Sequence, residues 1–477
     1  MSLLLRGGRL DGAATDLLIE GGLIAAIGAG LRGDEVVELD GRHVVPGLWD
    51  EHVHLSQHAM VRRRVDLSTA TSAAAAARIM AAAPRPGGDL PLTGYGFRDG
   101  LWPDEPTAAI LDAVVTEPAV LVSGDLHCLW LNSTALERFG HAGHPTGILR
   151  EDEAFPITAA LQDVPDEVLD AWVGEAAASA ASRGVVGVVD LEMADTIGAW
   201  VRRFGAGFDA LRVEAGVYTD RLDAAIAAGH RTGEQLGDLL TVGPFKLLID
   251  GSLNTRTAYC VEEYPGLHSH GVLTVQPADL IALLRKATDA GFVPAVHAIG
   301  DEANRVALDA FDALANGGWR SGGRIEHAQL LLEADYTRFA SLGVAASVQP
   351  EHAMDDREVA DRYWAGRTGR AFVLRSLLDA GATLLLGSDA PVAPLDPWVT
   401  IAAAVTRSRD GREPWHPEQS ITVAEAIAAS SRTTVEVGQP ADLAIVELDP
   451  QTASGNELRR MPVAGTLLNG RWTYSSL

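Results

Sequence analysis

The chain has 477 residues, 47% of them hydrophobic, and a net charge of −26 at pH 7. This length allows a large core in two or three domains, and the apolar fraction excludes a disordered acidic chain. The charge excludes partners that need a basic face, nucleic acid and anionic membrane among them. Two cysteines, Cys128 and Cys260, make no disulfide scaffold and suit a reducing compartment. No run of about 18 apolar residues marks a membrane span, and the apolar run in MSLLLRGGRL is too short for a secretion signal. A cytoplasmic protein is therefore expected.

Residues 1–45 read as short strands. DLLIEGGLIAAI splits at Gly21-Gly22 and EVVELDGRHVV at Asp40-Gly41, and both dipeptides are hairpin signals. Alanine-rich helical stretches then alternate with short apolar runs: VVGVVDL, FKLLI, GFVPAV, GRIE, VAASV and ATLLL. Repeated helix–Gly–strand units predict parallel strands with crossover helices. Residues of about 84–165, rich in Pro, Gly and Trp, break the rhythm and read as an insertion. The strand ADLAIVEL and a hairpin at Asn469-Gly470 close the chain. Neither end has enough strands for a core alone, so a joint β-sandwich from residues 1–46 and 426–477 is expected, around a barrel over 47–425.

Six residues stand at the ends of predicted strands. In PGLWDEHVHL, His52 and His54 are two apart on a strand and face the same way, so both can reach one metal. His268-Ser269-His270 has the same spacing but lies in a Pro/Gly-bounded loop, which makes a solvated pair the better reading. Lys246 lies inside FKLLIDG, where a charge is costly. It either pairs with a carboxylate such as Asp250 or reacts as the neutral amine with carbon dioxide, giving an anionic carbamate. His297, His327 and Asp389 each close an apolar run. Together these residues fall on the strand-end face where an (αβ)8 barrel places its chemistry, and histidine with carboxylate suits zinc or a similar first-row metal. GAGLRG over 28–33 is followed by a strand and offers no helix N-terminus to a pyrophosphate. The chain has no G-x-S-x-G.

The same blocks resemble the amidohydrolase superfamily, specifically the YtcJ-like branch or amidohydrolase family 3. VVPGLWDEHVHL, FKLLIDGSLNTRTA, VHAIGDEAN, RIEHAQ, SVQPEHAMDD, LLLGSDAPV and GQPADLAIVELDP follow the family's order, and GYGFRDGLWP, GDLHCLWLNSTAL and TGILRED match its insertion. The resemblance implies an α/β fold, a (βα)8 barrel with a small composite β-domain. It implies two divalent metals, zinc being the expected one: His52, His54 and Asp389 on the more buried metal, carboxylated Lys246 bridging, and His297 with His327 on the second. If Lys246 is not carboxylated, one metal remains and His327 becomes catalytic.

The implied chemistry is hydrolysis of a non-peptide carbon–nitrogen bond, in an N-acyl or N-formyl amide or a cyclic amide. A metal-bridging hydroxide attacks, and Asp389 carries its proton to the leaving nitrogen. Alternatives are a mononuclear aminohydrolase that deaminates a heterocycle and a scaffold protein that has lost activity; the scaffold reading is disfavoured because all six residues are present. Substrate-binding candidates are Trp102, His127, Asn132, Arg256, Gln349 and His352, with Asp50 and Asp250 orienting ligands. A small-molecule substrate is expected, and a homodimer is the default assembly.

Overall fold

The computed structural model describes the chain apart from residues 1, 87, 98, 100, 101, 124–127, 151, 152, 162, 255 and 321. It divides into two compact units, one of Met1–Leu55 with Ala177–Leu477 and one of Ser56–Ala176.

Five strands open the chain: β1 (Ser2–Leu10), β2 (Ala13–Glu20), β3 (Leu23–Gly28), β4 (Glu35–Glu38) and β5 (His43–Pro46). A sixth, β6 (Leu48–Val53), is buried at every residue. The second unit holds β7 (Val65–Asp66), β8 (Leu92–Phe97), β9 (Ala119–Ser123), β10 (Cys128–Leu131) and β11 (Ile148–Arg150). Then come β12 (Val185–Asp190), β13 (Arg212–Tyr218), β14 (Leu240–Leu248), β15 (Pro294–Ala298), β16 (Gly323–His327), β17 (Val344–Val348) and β18 (Leu384–Leu386). The chain ends in β19 (Leu443–Val446), β20 (Val463–Leu468) and β21 (Arg471–Ser475).

Both ends of the chain build one hydrogen-bonded sheet, in the order β21-β20-β19-β5-β1-β2-β3 with β4 beside β1. Inward residues such as Leu5, Leu17, Ile19, Leu443, Ile445 and Leu467 form its core. Gly21-Gly22 and Asn469-Gly470 make the expected hairpins, with positive φ at both residues of each turn. Asp40-Gly41 does not make a hairpin. β4 and β5 both run parallel to β1, at Leu3–Arg6 and at Arg9 respectively, so the dipeptide is a jog in a path that continues along one neighbour. An Asp-Gly supplies positive φ to either kind of break.

The barrel runs β6, then β12 to β18 in chain order, eight strands among the described residues and parallel at every ladder. Near-continuous burial of β6 and β12 is what a sheet covered on both faces requires. The helix Asp301–Asn316 shows how the crossovers cover it. Ala303, Val306, Ala307, Ala310, Phe311 and Leu314 repeat at three- and four-residue spacing and are all buried.

The seam between first and last strands closes at the strand ends. Asp389 N donates to His52 O at 2.7 Å and His54 N to Ala390 O at 2.9 Å. The seam passes Gly387 so closely that a Cβ there would lie 2.7 Å from His52 N.

The second unit has its own sheet, β11-β10-β9-β8-β7, and its own core around Leu67, Met80, Phe97 and Trp130. It is longer than the insertion of 84–165. Its first strand is two residues long, and the helix Ala73–Ala82 is alanine-rich like the barrel crossovers, so composition does not mark its start. No helix among the described residues is long and apolar enough to cross a membrane.

Candidate metal centre

His52 on β6 and His54 just beyond it point from the same side of the strand, as their spacing requires. The last strand brings Asp389 to them: its Oδ1 lies 3.5 Å from His52 Nε2 and 3.2 Å from His54 Nε2. One ligand atom from each of the three falls within 4.8 Å of the others. Asp389 also belongs to a second such group with His327 and His352. Asp389 and His327 both hold positive φ, at 56° and 76°. That conformation is costly for residues with a side chain and accumulates at functional sites.

His297 closes β15 with its ring edge-on to His327, centroids 4.5 Å apart. Its Nε2 faces Gly251 O at 3.3 Å and Asp250 Oδ1 at 3.5 Å. The second close group therefore pairs His327 with His352, where the resemblance implies a pairing with His297. Lys246 on β14 is 1% exposed, and its Nζ has no hydrogen-bond partner.

The electrostatics suit a metal. Burial, helped by the charge of Lys246, pushes His52 down to about 4 and His297 down to about 3. Burial, with His297 next, holds His327 well below its ordinary range. These imidazoles are neutral donors at pH 7. For His54, burial is outweighed by the hydrogen bond and charge of Asp389, and its pKa is raised. Asp389 is held well below the usual carboxylate range: burial opposes ionisation, but His52, His54 and His327 around it prevail. Burial lowers Lys246 to about 8, against the pull of Glu326 and Asp389. A first-row divalent metal fits this set. It offers neutral nitrogens, an ionised carboxylate, and buried polar atoms at Lys246 Nζ, His54 Nδ1 and His327 Nδ1 that have no partner within the protein.

Beneath the candidate ligands a ladder of charges runs from buried Glu326, Arg324 and Glu51 out to exposed Arg432. Glu326 Oε2 is 2.7 Å from His52 Nδ1. Its other oxygen meets Arg324 Nε; Arg324 Nη1 reaches Glu51 Oε2 at 3.2 Å, and Glu51 takes a two-pronged contact from Arg432, at 2.8 and 2.7 Å. The motif spacing singled out none of these four. The signal was present in Arg324-Ile325-Glu326: charges two apart on a buried strand must face the same interior and pair there. Asp50 and Asp250 act mainly on backbone. Asp50 Oδ1 accepts from Ser388 N at 2.8 Å and His52 N at 3.2 Å. Asp250 accepts from Tyr259, Ile299 and Gly300 N–H groups at 2.9 to 3.3 Å. Burial raises both carboxyls to about 7.

The remaining candidates scatter. Trp102, half-buried, donates its indole N–H to Ala70 O and packs on Phe97 and Trp130 against the core of the second unit. Asn132 accepts from Ala119 N and Ala135 N and donates to Val115 O and Glu117 O. Its amide is thus engaged with four backbone groups. His127 lies outside the described residues. Arg256 is exposed, with its guanidinium 5.6 Å from the Tyr363 ring centroid. Gln349 and His352 are buried at the end of β17. His268 is fully exposed, as a loop residue should be.

Comparison with known proteins agrees with this geometry. The sequence profile of the amidohydrolase family matches residues 35–474. The chain is 31% identical to the Arabidopsis thaliana protein LONG AFTER FAR-RED 3, over 88% of this chain and 79% of that one. It is 28% identical to YtcJ of Bacillus subtilis, over 92% and 90%, and 25% identical to the N-substituted formamide deformylase of Arthrobacter pascens, over 97% and 95%. Among solved structures, an uncharacterised metal-dependent hydrolase from Pyrococcus horikoshii superposes with a TM-score of 0.81 at 26% identity, covering 96% of this chain and 99% of that one.

Proposed function

The chain belongs to the amidohydrolase family, and from that membership we propose a metal-dependent hydrolase of small molecules, cleaving a carbon–nitrogen bond other than a peptide bond, in an N-acyl or N-formyl amide or a cyclic amide. The observation that carries it is the convergence of His52, His54 and Asp389 within 4.8 Å beside a buried lysine that has no partner. The relative whose name specifies a deformylase supports the amide class.

His52, His54, Lys246, His297, His327 and Asp389 are the proposed ligands of two divalent ions, zinc being the metal their chemistry favours. Bound there, such metals supply Lewis-acid polarisation of a carbonyl and lower the pKa of water to about 7. Lys246 is proposed to be carboxylated. Its neutral amine attacks carbon dioxide, the N–C bond forms, and one proton leaves, so an orphaned cation becomes an anion able to bridge. That reversal also removes the positive charge that depresses His52 and His297.

The chain's own groups have separate tasks. Glu326 accepts a hydrogen bond from the Nδ1–H of His52, which directs the bare Nε2 at the site. Asp389, ionised and among three imidazoles, accepts the proton of the attacking water and passes it to the departing nitrogen. Asp250 fixes the backbone after β15 on which His297 stands.

The test is metal analysis of purified protein, with a screen of formamides, N-acyl amines and cyclic ureides. Two equivalents of metal and release of an amine are expected. Protein that takes up no divalent metal and opens no amide would end the reading.

A further inference from the structure

After β17 the chain turns at Gln349 into the helix Pro350–Tyr363, whose third residue is His352. His352 is 5% exposed. Its ring lies nearly parallel to that of His327, centroids 6.2 Å apart. Its Nε2 stands 3.9 Å from Asp389 Oδ2, beyond hydrogen-bond range, and has no other partner. The opposite nitrogen is engaged. Gln329, two residues past His327, brings its side-chain Nε2 to 3.5 Å from His352 Nδ1. An amide NH2 only donates, so with it facing this nitrogen Nδ1 accepts and the ring presents Nε2–H. A buried donor without an acceptor is costly, and this one faces the space shared with His327 and Asp389.

We propose that His352 is a catalytic hydrogen-bond donor: its Nε2–H serves the carbonyl oxygen of the substrate and binds it more tightly as that oxygen gains negative charge, with Gln329 as the positioning residue that fixes the tautomer. Such preorganised donors act only where charge develops. No bond to His352 forms or breaks. A proton on Nε2 also removes His352 from the ligand set, although it lies close enough to serve. The inference rests on the amide-hydrolase reading, since a carbonyl substrate is what develops this charge.

The experiment has three readouts on the metal-loaded full chain. Side-chain 15N–1H correlation spectra, with His352→Phe for assignment, report the tautomer without any substrate. An Nε2–H ring that changes in Gln329→Leu supports the proposal, and an Nδ1–H ring overturns it. Metal content of His352→Phe should equal that of the parent, and loss of one equivalent would make His352 a ligand and overturn the proposal. With N-butylformamide, His352→Phe should lower kcat about 10²- to 10³-fold with little change in KM. His352→Gln, which retains a donor, should recover part of that loss, and an unchanged kcat overturns the proposal. If the parent opens neither N-butylformamide nor any amide of the screen, the amide reading fails, while tautomer and metal content still decide the place of His352.

Discussion

Nδ1 of His52 and Oε2 of Glu326 face each other at 2.7 Å, both completely buried. The contact fixes which nitrogen of His52 is free and hands the site to a ladder that runs through Arg432 to Glu214. Glu326→Gln keeps the shape but weakens the acceptor, so metal affinity should fall about 10- to 100-fold. Competition with a chelator of known affinity measures this. Unchanged affinity would reduce the ladder to a structural feature.

Lys246→Met replaces a buried amine by an apolar chain of similar length. The metal-free protein should be as stable as the parent or more so, because an orphaned buried cation is removed. Its metal content should drop from two equivalents to one. Thermal melts with and without chelator, together with elemental analysis, separate the two effects. Two retained equivalents would refute a bridging carbamate.

The ladder and the lysine differ in how legible they were. Lys246, His52, His54, His297, His327 and Asp389 stand out because each interrupts or closes an apolar run, and the order of those runs gives the barrel. Arg324 and Glu326 pair within one strand at a telling spacing, but their links to His52 and Glu51 join strands far apart in sequence, which no local pattern reports. Asn132 was opaque for another reason: a lone amide in an irregular stretch looks like a ligand-binding group, and its four backbone partners are invisible to composition. Asp40-Gly41 carried true turn chemistry, but the residues alone do not say whether the chain reverses or only jogs.

Asn132→Leu should therefore destabilise the protein by about 2–3 kcal/mol, through lost capping and stranded backbone groups. Chemical denaturation checks the cost, and metal content should stay at the parent value.

Acid should act on the second unit through His58, which burial, with Arg62, pushes down to about 4. Between pH 6.5 and 4 the unfolded chain binds this proton and the folded chain does not. Stability is thus retained above 6.5 and lost as pH falls through that window. His58→Gln should make the fall shallower by about one proton in a series of melts. An identical slope would mean that His58 protonates without unfolding.

Gly387→Ala places a Cβ against His52 N and near Asp50 Oδ1. Overpacking of this kind costs about 1–3 kcal/mol, and the shift would fall on backbone that carries a ligand. Metal affinity should weaken along with stability, whereas a mere packing defect elsewhere would lower stability alone.

The seam has one more consequence. Asp50 and Ser388, which meet across it, are 338 positions apart, and the first two histidines do not meet Asp389 until the eighth strand docks. An ion held by these groups would therefore be a clasp that cannot fasten early. A chain emerging from the ribosome offers only scattered imidazoles for most of its synthesis, and metallation becomes a report that the ring has closed. Such long-range closure is slow, so refolding with and without zinc should share the same slow phase and differ afterwards in how firmly the ring stays shut.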